Sequence, residues 1–212
     1  MALDLTKIRN QFPALHQRGI FLDNPGGTQA VKNCFDRMLD YLIESNANHG
    51  GVFQRSRESD ALIAKSRAAM ADFLNASRPE EIIFGQNMTS LAFHLSRSLG
   101  RRLQPGDEIV VTRLDHDANI TPWTLIAEER DCNVCWVDFR PEDGTLDLES
   151  LEKALDKKPR LVAVGYASNA LGTINPVAQI VQMAHNVGSL VFIDAVHFAP
   201  HGLIDVRKLG CD

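Results

Sequence analysis

The sequence lacks an excess of basic residues, a long apolar run and a dense set of cysteines. Lysine and arginine number 22 against 27 aspartates and glutamates, for a formal net charge of −5, so nucleic acid is not expected as a main partner. No apolar run approaches the ~18 residues that a membrane helix needs, and we expect neither a membrane anchor nor a signal peptide. Its 44% hydrophobic and 23% charged residues are typical of a globular protein, and its four cysteines fit a reducing cytoplasm.

Two of the cysteines, Cys132 and Cys135, have the C-x-x-C spacing of redox pairs and of half zinc sites. The segment 134–139 reads as a strand, however, and residues three apart on a strand face opposite sides. No second C-x-x-C is present in the sequence. We therefore expect these cysteines to have a structural role.

Short apolar strands alternate with helical patterns from residue 81 onward. Strands are predicted over residues 82–84, 109–111, 134–139, 161–164 and 190–193, with helices between them. Two earlier helices are predicted, one with Thr28 as its N-cap and one over residues 62–74. Such alternation is typical of an α/β fold with a mostly parallel sheet and flanking helices.

Polar side chains follow four of the predicted strands. In open α/β sheets, ligands bind outside the carboxyl ends of the strands, so these side chains are expected to share one pocket. The segments after these strands are Gly85 to Ser90, Leu114 to Asn119, Ser168 to Thr173 and Asp194 to His197.

The chemistry of these residues leaves several roles open. The loop before Thr89 enters a helix, whose free N–H groups favour a phosphate, although Thr89 alone would also serve as a simple N-cap. Asp194 ends an apolar strand and needs a partner, which a protonated pyridine nitrogen, a metal or an arginine would supply. His116 lies between two acids and suits a base, a stacking ring or a metal ligand.

Four stretches resemble motifs of the class V aminotransferase and cysteine desulfurase family, within the fold type I enzymes that use pyridoxal 5'-phosphate (PLP). The resemblance covers nearly the whole chain and keeps the family's motif order. Its motifs are Phe21-Leu22-Asp23-Asn24, Asp115-His116-Asp117-Ala118, the S-N-x-x-G-x-x-x-P segment from Ser168 to Pro176, and Asp194-Ala195-Val196-His197 followed by His201 and Asp205-Val206.

The resemblance implies a role for each matching residue. Met88 and Thr89 would hold the cofactor phosphate, and His116 would stack on the pyridine ring and move protons on the substrate side. Asn169 and His197 would lie close to the phenolic oxygen of the ring. Asp194 would keep the ring nitrogen protonated, which makes the ring an electron sink. The substrate carboxylate would lie near the remaining family positions, Asn24, Gly26 and Gly27.

The resemblance also implies that the family's Schiff-base lysine follows these motifs in a Ser-x-x-Lys type turn. That turn is not within the 212 residues, and Lys208 is interpreted as a surface residue of a helical turn. We expect residues 1–60 to form an N-terminal segment with a substrate-side loop and helix. Residues 61–212 would form the PLP-binding large domain, truncated before the lysine. The chain by itself is expected to be inactive.

The substrate is expected to be an amino acid such as cysteine, with desulfuration, transamination and epimerisation all open. The resemblance further implies a homodimer for the full-length protein. Two other functions are considered. One is a metal-dependent hydrolase that uses the Asp and His residues at the strand ends. The other is a truncated, non-catalytic remnant.

Overall fold

The computed structural model describes residues 3–16 and 19–212. The chain divides into two compact units, Met1–Ala69 and Met70–Asp212. The domain boundary expected at residue 60 stays a prediction. No helix in the described part of the chain is long and apolar enough to cross a membrane.

The first unit is helical. Its elements are α1 (Leu5–Arg9), a 3-10 turn (Pro13–His16), α2 (Lys32–Asp40), a π-helical turn (Tyr41–Ser45) and most of α3 (Gln54–Leu74), which runs on into the second unit. The prediction that Thr28 caps α2 is wrong. Val31 precedes the helix without a side-chain cap, because Thr28 lies three residues earlier and donates its hydroxyl to the Asn24 carbonyl.

The second unit is the predicted α/β fold. Its elements in chain order are a 3-10 turn (Pro79–Glu81), α4 (Met88–Gly100), β1 (Glu108–Thr112), a 3-10 turn (Asp117–Asn119), α5 (Thr121–Glu129), β2 (Asn133–Val137), α6 (Leu148–Leu155), β3 (Leu161–Gly165), α7 (Val177–Asn186), β4 (Leu190–Asp194) and α8 (Val206–Leu209). The four strands form one parallel sheet in the order β2-β1-β3-β4. The carboxyl ends of all four strands therefore lie at the same end of the sheet.

The sheet separates two hydrophobic clusters, because successive side chains of a strand point to opposite faces. On one face, Val110, Val162 and Val191 pack with buried residues of α6 and α7. On the other face, Ile109, Val111 and Ala163 pack with residues of α4 and α5. Helices on both faces explain why the strands are apolar throughout instead of alternating.

The strand predicted over 82–84 is wrong. These residues are not part of a strand, and Ile83 and Phe84 remain 75% and 53% exposed. A strand needs a neighbouring backbone to accept and donate its hydrogen bonds, and no strand among the described residues pairs with this segment. The helix predicted after it is confirmed as α4.

Candidate functional site

The loop that follows β1 is attached to the end of β3 through Asp115. Its Oδ1 accepts a hydrogen bond from the Gly165 backbone N–H at 2.8 Å, and its Oδ2 accepts from Asn119 Nδ2 at 2.7 Å. Gly165 has no room for a side chain, since a Cβ there would lie 2.8 Å from Asp115 Oδ1. A glycine is therefore required for this close approach.

Burial raises the pKa of Asp115 to about 6, although its hydrogen bonds from Gly165 and Asn119 act in the opposite direction. The negative charge of Asp194 raises it slightly further. The carboxylate of Asp194, at the end of β4, therefore acts on the carboxyl group of Asp115, which follows β1. Such a site favours a ligand that brings positive charge.

His116 lies at the exposed tip of the same loop. Its carbonyl accepts from the Asn119 N–H at 2.8 Å, and its Nδ1 accepts from the Ala118 N–H at 3.0 Å. Because Nδ1 accepts a hydrogen bond, the proton of the neutral ring is assigned to Nε2. Asp117 points elsewhere, since its Oδ1 accepts from the Thr121 hydroxyl.

The turn after β3 carries Asn169. Ser168 is buried and its hydroxyl accepts from the N–H groups of Ala170 and Leu171, which fixes the turn. The partly buried Asn169 amide has no hydrogen-bond partner among the described residues. Asn175, an unspecified position of the S-N-x-x-G-x-x-x-P segment, is buried and donates through Nδ2 to the Gly165 carbonyl at 2.8 Å.

The end of β4 carries Asp194 and His197, both partly buried. Gly165 and Asp194 are register partners, and the Tyr166 N–H donates to the Asp194 carbonyl at 2.7 Å. Asp194 Oδ1 accepts from the Val196 N–H, whereas Oδ2 has no hydrogen-bond partner among the described residues. One carboxylate oxygen is therefore available to a cationic donor.

The N-terminus of α4 differs from the sequence prediction in its cap. Asn87, not Thr89, is the N-cap, and its side-chain oxygen accepts from the Ser90 N–H at 2.9 Å. Thr89 is the second residue of the helix, because Asn87 already has the extended backbone that a cap requires. The N–H groups of Met88 and Thr89 consequently have no acceptor among the described residues, as expected for the first turn of a helix.

The predicted substrate-side residues belong to the first unit. Asn24, Gly26 and Gly27 lie in an exposed turn, where Gly27 N–H donates to the Asn24 carbonyl and Gly26 N–H to Asp23 Oδ1. Their role in substrate binding stays a prediction. In the second unit, Lys208 is confirmed as an exposed residue of a helical turn, α8, and its N–H donates to Asp205 Oδ1.

The two cysteines of the C-x-x-C motif do not form a pair. Cys135 is buried in β2 and donates to Glu108 Oε2, while Cys132 precedes the strand and contacts the Gln104 carbonyl. Burial raises the pKa of both thiols. Across residues 3–16 and 19–212, no three His, Cys, Asp or Glu side chains form a group that would hold a metal ion, so no observation favours the metal-dependent hydrolase.

A separate cavity of about 240 Å³ lies at the opposite end of the sheet, where the strands begin. It is lined by residues near the amino ends of the strands, Ile109, Leu161 and Leu190, together with Trp123 and the end of α4. The polar residues at the carboxyl ends of the strands do not contribute to it. The strand-end residues therefore remain the candidate site.

Comparison with known proteins supports the family resemblance. An aminotransferase-like protein of Gibberella zeae is 38% identical over 219 residues, and a cysteine desulfurase of Serratia proteamaculans is 36% identical over 219 residues. Each match covers 100% of this chain and 53% or 54% of the relative. The chain thus spans about half the length of the curated relatives it matches.

Solved structures support the fold. The apo structure of a cysteine desulfurase from Thermococcus onnurineus is 29% identical, with a TM-score of 0.91, and the match covers 100% of this chain and 52% of that one. The family model for aminotransferase class-V matches residues 20–212. The resemblance inferred from the motifs is therefore confirmed, and the chain belongs to the aminotransferase class-V family.

Proposed function

We propose that the second unit binds PLP at the carboxyl ends of β1, β3 and β4. One observation carries this proposal. Adjacent strand ends hold Asn169, His197 and one oxygen of Asp194 without internal hydrogen-bond partners among the described residues, although all three side chains are partly buried. Their free polar atoms are open to solvent. Several polar groups that converge at one end of the sheet in this way favour a polar ligand.

The phosphate of PLP would bind at the N-terminus of α4. The free N–H groups of Met88 and Thr89, the positive end of the helix dipole and the Thr89 hydroxyl suit a dianion. Helix α4 also packs against the 117–119 turn, directly after His116. The phosphate and ring positions would therefore lie in one neighbourhood.

The ring would be held by the strand ends. Asp194 would offer its free oxygen to the ring N–H⁺, and the nearby Asp115 adds to the negative potential. When bound, PLP supplies an electron sink for bonds to the substrate α-carbon. Asn169 and His197 would donate to the phenolic oxygen, and His116 would stack on the ring with its Nε2–H available for proton transfer.

We propose that the whole protein acts on an amino acid, with cysteine as the first substrate to test. The support is the identity of 36% to a protein named cysteine desulfurase. In this proposal Asn24, Gly26 and Gly27 would contact the substrate carboxylate, and the full-length protein would be a cytoplasmic homodimer. Transamination by the same residues is the second candidate, because another similar relative is aminotransferase-like.

Equilibrium dialysis of the chain against PLP and against pyridoxal, which lacks the phosphate, tests the cofactor proposal. We expect saturable binding of PLP, and we expect Thr89→Val to weaken it roughly tenfold, the effect of losing one charge-assisted hydrogen bond. The same variant should leave pyridoxal binding unchanged. Thr145→Val, in an exposed loop, is the matched control.

Two results would contradict the proposal: no saturable PLP binding by the folded chain, or an equal loss for PLP and pyridoxal in Thr89→Val. Borohydride reduction before dialysis separates covalent from reversible binding. A direct assay of alanine released from cysteine, and of 3-mercaptopyruvate and glutamate formed when 2-oxoglutarate is added as amino acceptor, then distinguishes desulfuration from transamination in the full-length protein.

A further inference from the structure

Three hydrogen-bonded side chains lie close to His116 in the chain: Asn119 and Trp123 are fully buried, and Asp115 is partly buried. Asn119 is fully buried and uses both ends of its amide, since Nδ2 donates to Asp115 and Oδ1 accepts from Trp123 Nε1 at 3.3 Å. These two partners fix the orientation of the amide, because a carboxylate only accepts and an indole only donates.

The network connects the three strands whose ends form the candidate site. Asp115 follows β1 and binds Gly165 at the end of β3. Trp123 packs edge to face on Phe192 of β4, with the ring centroids 5.2 Å apart. Phe192 precedes Asp194 by two residues on the same strand. A shift of the Asn119 side chain would consequently displace its contacts to all three strand ends.

The same residue holds the His116 turn. The backbone N–H of Asn119 donates to the His116 carbonyl, and this closes the 3-10 turn in which Ala118 N–H reaches His116 Nδ1. The imidazole is thus fixed by the loop itself. No ligand is needed to select its tautomer.

We propose that Asp115 is a positioning residue which, acting through Asn119, holds the His116 imidazole at the strand ends as the Nε2–H tautomer. This proposal rests on the proposed function only for its purpose, namely to present a ring of defined tautomer to the cofactor and substrate. The arrangement itself is a property of the free chain.

A substitution of Asp115 that keeps its shape but removes its charge tests whether its hydrogen bonds position His116. In Asp115→Asn the side chain keeps its size, but it now offers one acceptor to two donors, Gly165 N–H and Asn119 Nδ2. One of the two contacts must be lost. The matched control is Asp117→Asn, which removes an equal charge from the other neighbour of His116 but leaves the buried network intact.

The test is the ¹⁵N NMR spectrum of the imidazole nitrogens of the free 212-residue chain at about pH 8, above the ordinary imidazole pKa. His116→Gln identifies the His116 signals among those of the seven histidines. We expect separate acceptor-type Nδ1 and N–H-type Nε2 signals in the wild type and in Asp117→Asn. In Asp115→Asn the two signals should move toward each other, as the tautomers interconvert.

Trp123→Phe provides a second variant if Asp115→Asn does not fold. It keeps an aromatic ring against Phe192 but removes the five-membered ring of the indole, including the N–H that orients Asn119. We expect a smaller movement of the His116 signals in the same direction. Unchanged signals in the folded Asp115→Asn chain, or in Trp123→Phe where Asp115→Asn fails to fold, would overturn the proposal.

An equal movement in Asp117→Asn would overturn it as well, because charge alone would then explain the effect. The readout needs no cofactor, so it is independent of whether the chain binds PLP. Failure of PLP binding with intact tautomer selection would reject the proposed function and leave this inference standing.

Discussion

Asp115 Oδ1 lies 2.8 Å from the backbone nitrogen of Gly165, and this hydrogen bond joins the loop after β1 to the last residue of β3. The contact brings the loop that carries His116 to the strand that leads into the Asn169 turn. It also places the partly buried Asp115 carboxylate near Asp194. Burial raises the pKa of Asp115, and the charge of Asp194 adds a smaller increase. Two expectations about stability depend on this one relationship.

Gly165→Ala should destabilise the chain by about 1–3 kcal/mol, the usual cost of inserting a methyl group into a packed site. The new Cβ would lie 2.8 Å from Asp115 Oδ1. Urea unfolding followed by tryptophan fluorescence measures the change. In an Asp115→Ala background the same substitution should cost clearly less, since its main steric partner is gone. Equal costs in both backgrounds would show that the contact is not the cause.

The pH dependence of stability should contain a contribution from Asp115. Burial raises its pKa from 3.8 to about 6, so the folded chain binds this proton more tightly than the unfolded chain. The contribution of Asp115 to the free energy of unfolding is therefore fully present below about pH 4 and falls as the pH rises to about 6. Above about pH 7 it no longer changes. The total change is on the order of 3 kcal/mol.

The measurement is the difference in unfolding free energy between wild type and Asp115→Asn from pH 4 to pH 8. We expect this difference to become less favourable to the wild type as the pH rises. Asp117→Asn serves as the control, because Asp117 is exposed on the same loop. A difference that stays flat or changes in the opposite direction would mean that Asp115 is not buried as described.

Two substitutions of Asn87, the N-cap of α4, should affect stability and phosphate binding differently. Asn87→Ala removes the acceptor for the Ser90 N–H and should cost about 1 kcal/mol. Asn87→Asp keeps that acceptor and complements the helix dipole, so stability should be retained. Its added negative charge should nevertheless weaken PLP binding about fivefold, or about 1 kcal/mol, by repelling the phosphate. Unfolding and dialysis on the same samples check both outcomes. Unweakened PLP binding in Asn87→Asp would place the phosphate elsewhere.

The sequence predicted the elements that depend on local patterns. The apolar runs at 109–111, 161–164 and 190–193 correspond to β1, β3 and β4, and the helices between them are present. The run at 82–84 has the same appearance, but no strand in the described part of the chain pairs with it. A run of three apolar residues does not reveal whether a partner strand exists. Thr89 was one candidate for the cap of α4, but Asn87, two residues earlier, has equal capping chemistry, and the sequence alone does not distinguish the two.

The parts of the site that the sequence does not reveal depend on tertiary contacts. The sequence presents Asp115 as part of the motif around His116 and as a candidate metal ligand, but its burial depends on the register that brings Gly165 beside it. Asn119 and Asn175 also look like ordinary loop residues until their partners, Trp123 and the Gly165 carbonyl, are known. A polar residue spaced four positions before a tryptophan was the available signal for Asn119, and it is a weak one.

The most direct test of the central claim, that the strand ends bind the PLP ring through Asp194, is the dissociation constant of PLP for wild type and Asp194→Asn. Asp138→Asn is a matched control, because Asp138 directly follows β2 at the other edge of the same sheet. We expect Asp194→Asn to weaken PLP binding by roughly 10- to 100-fold, the loss of a charge-assisted hydrogen bond, and Asp138→Asn to leave it unchanged. Equal affinity for all three folded chains would contradict the claim.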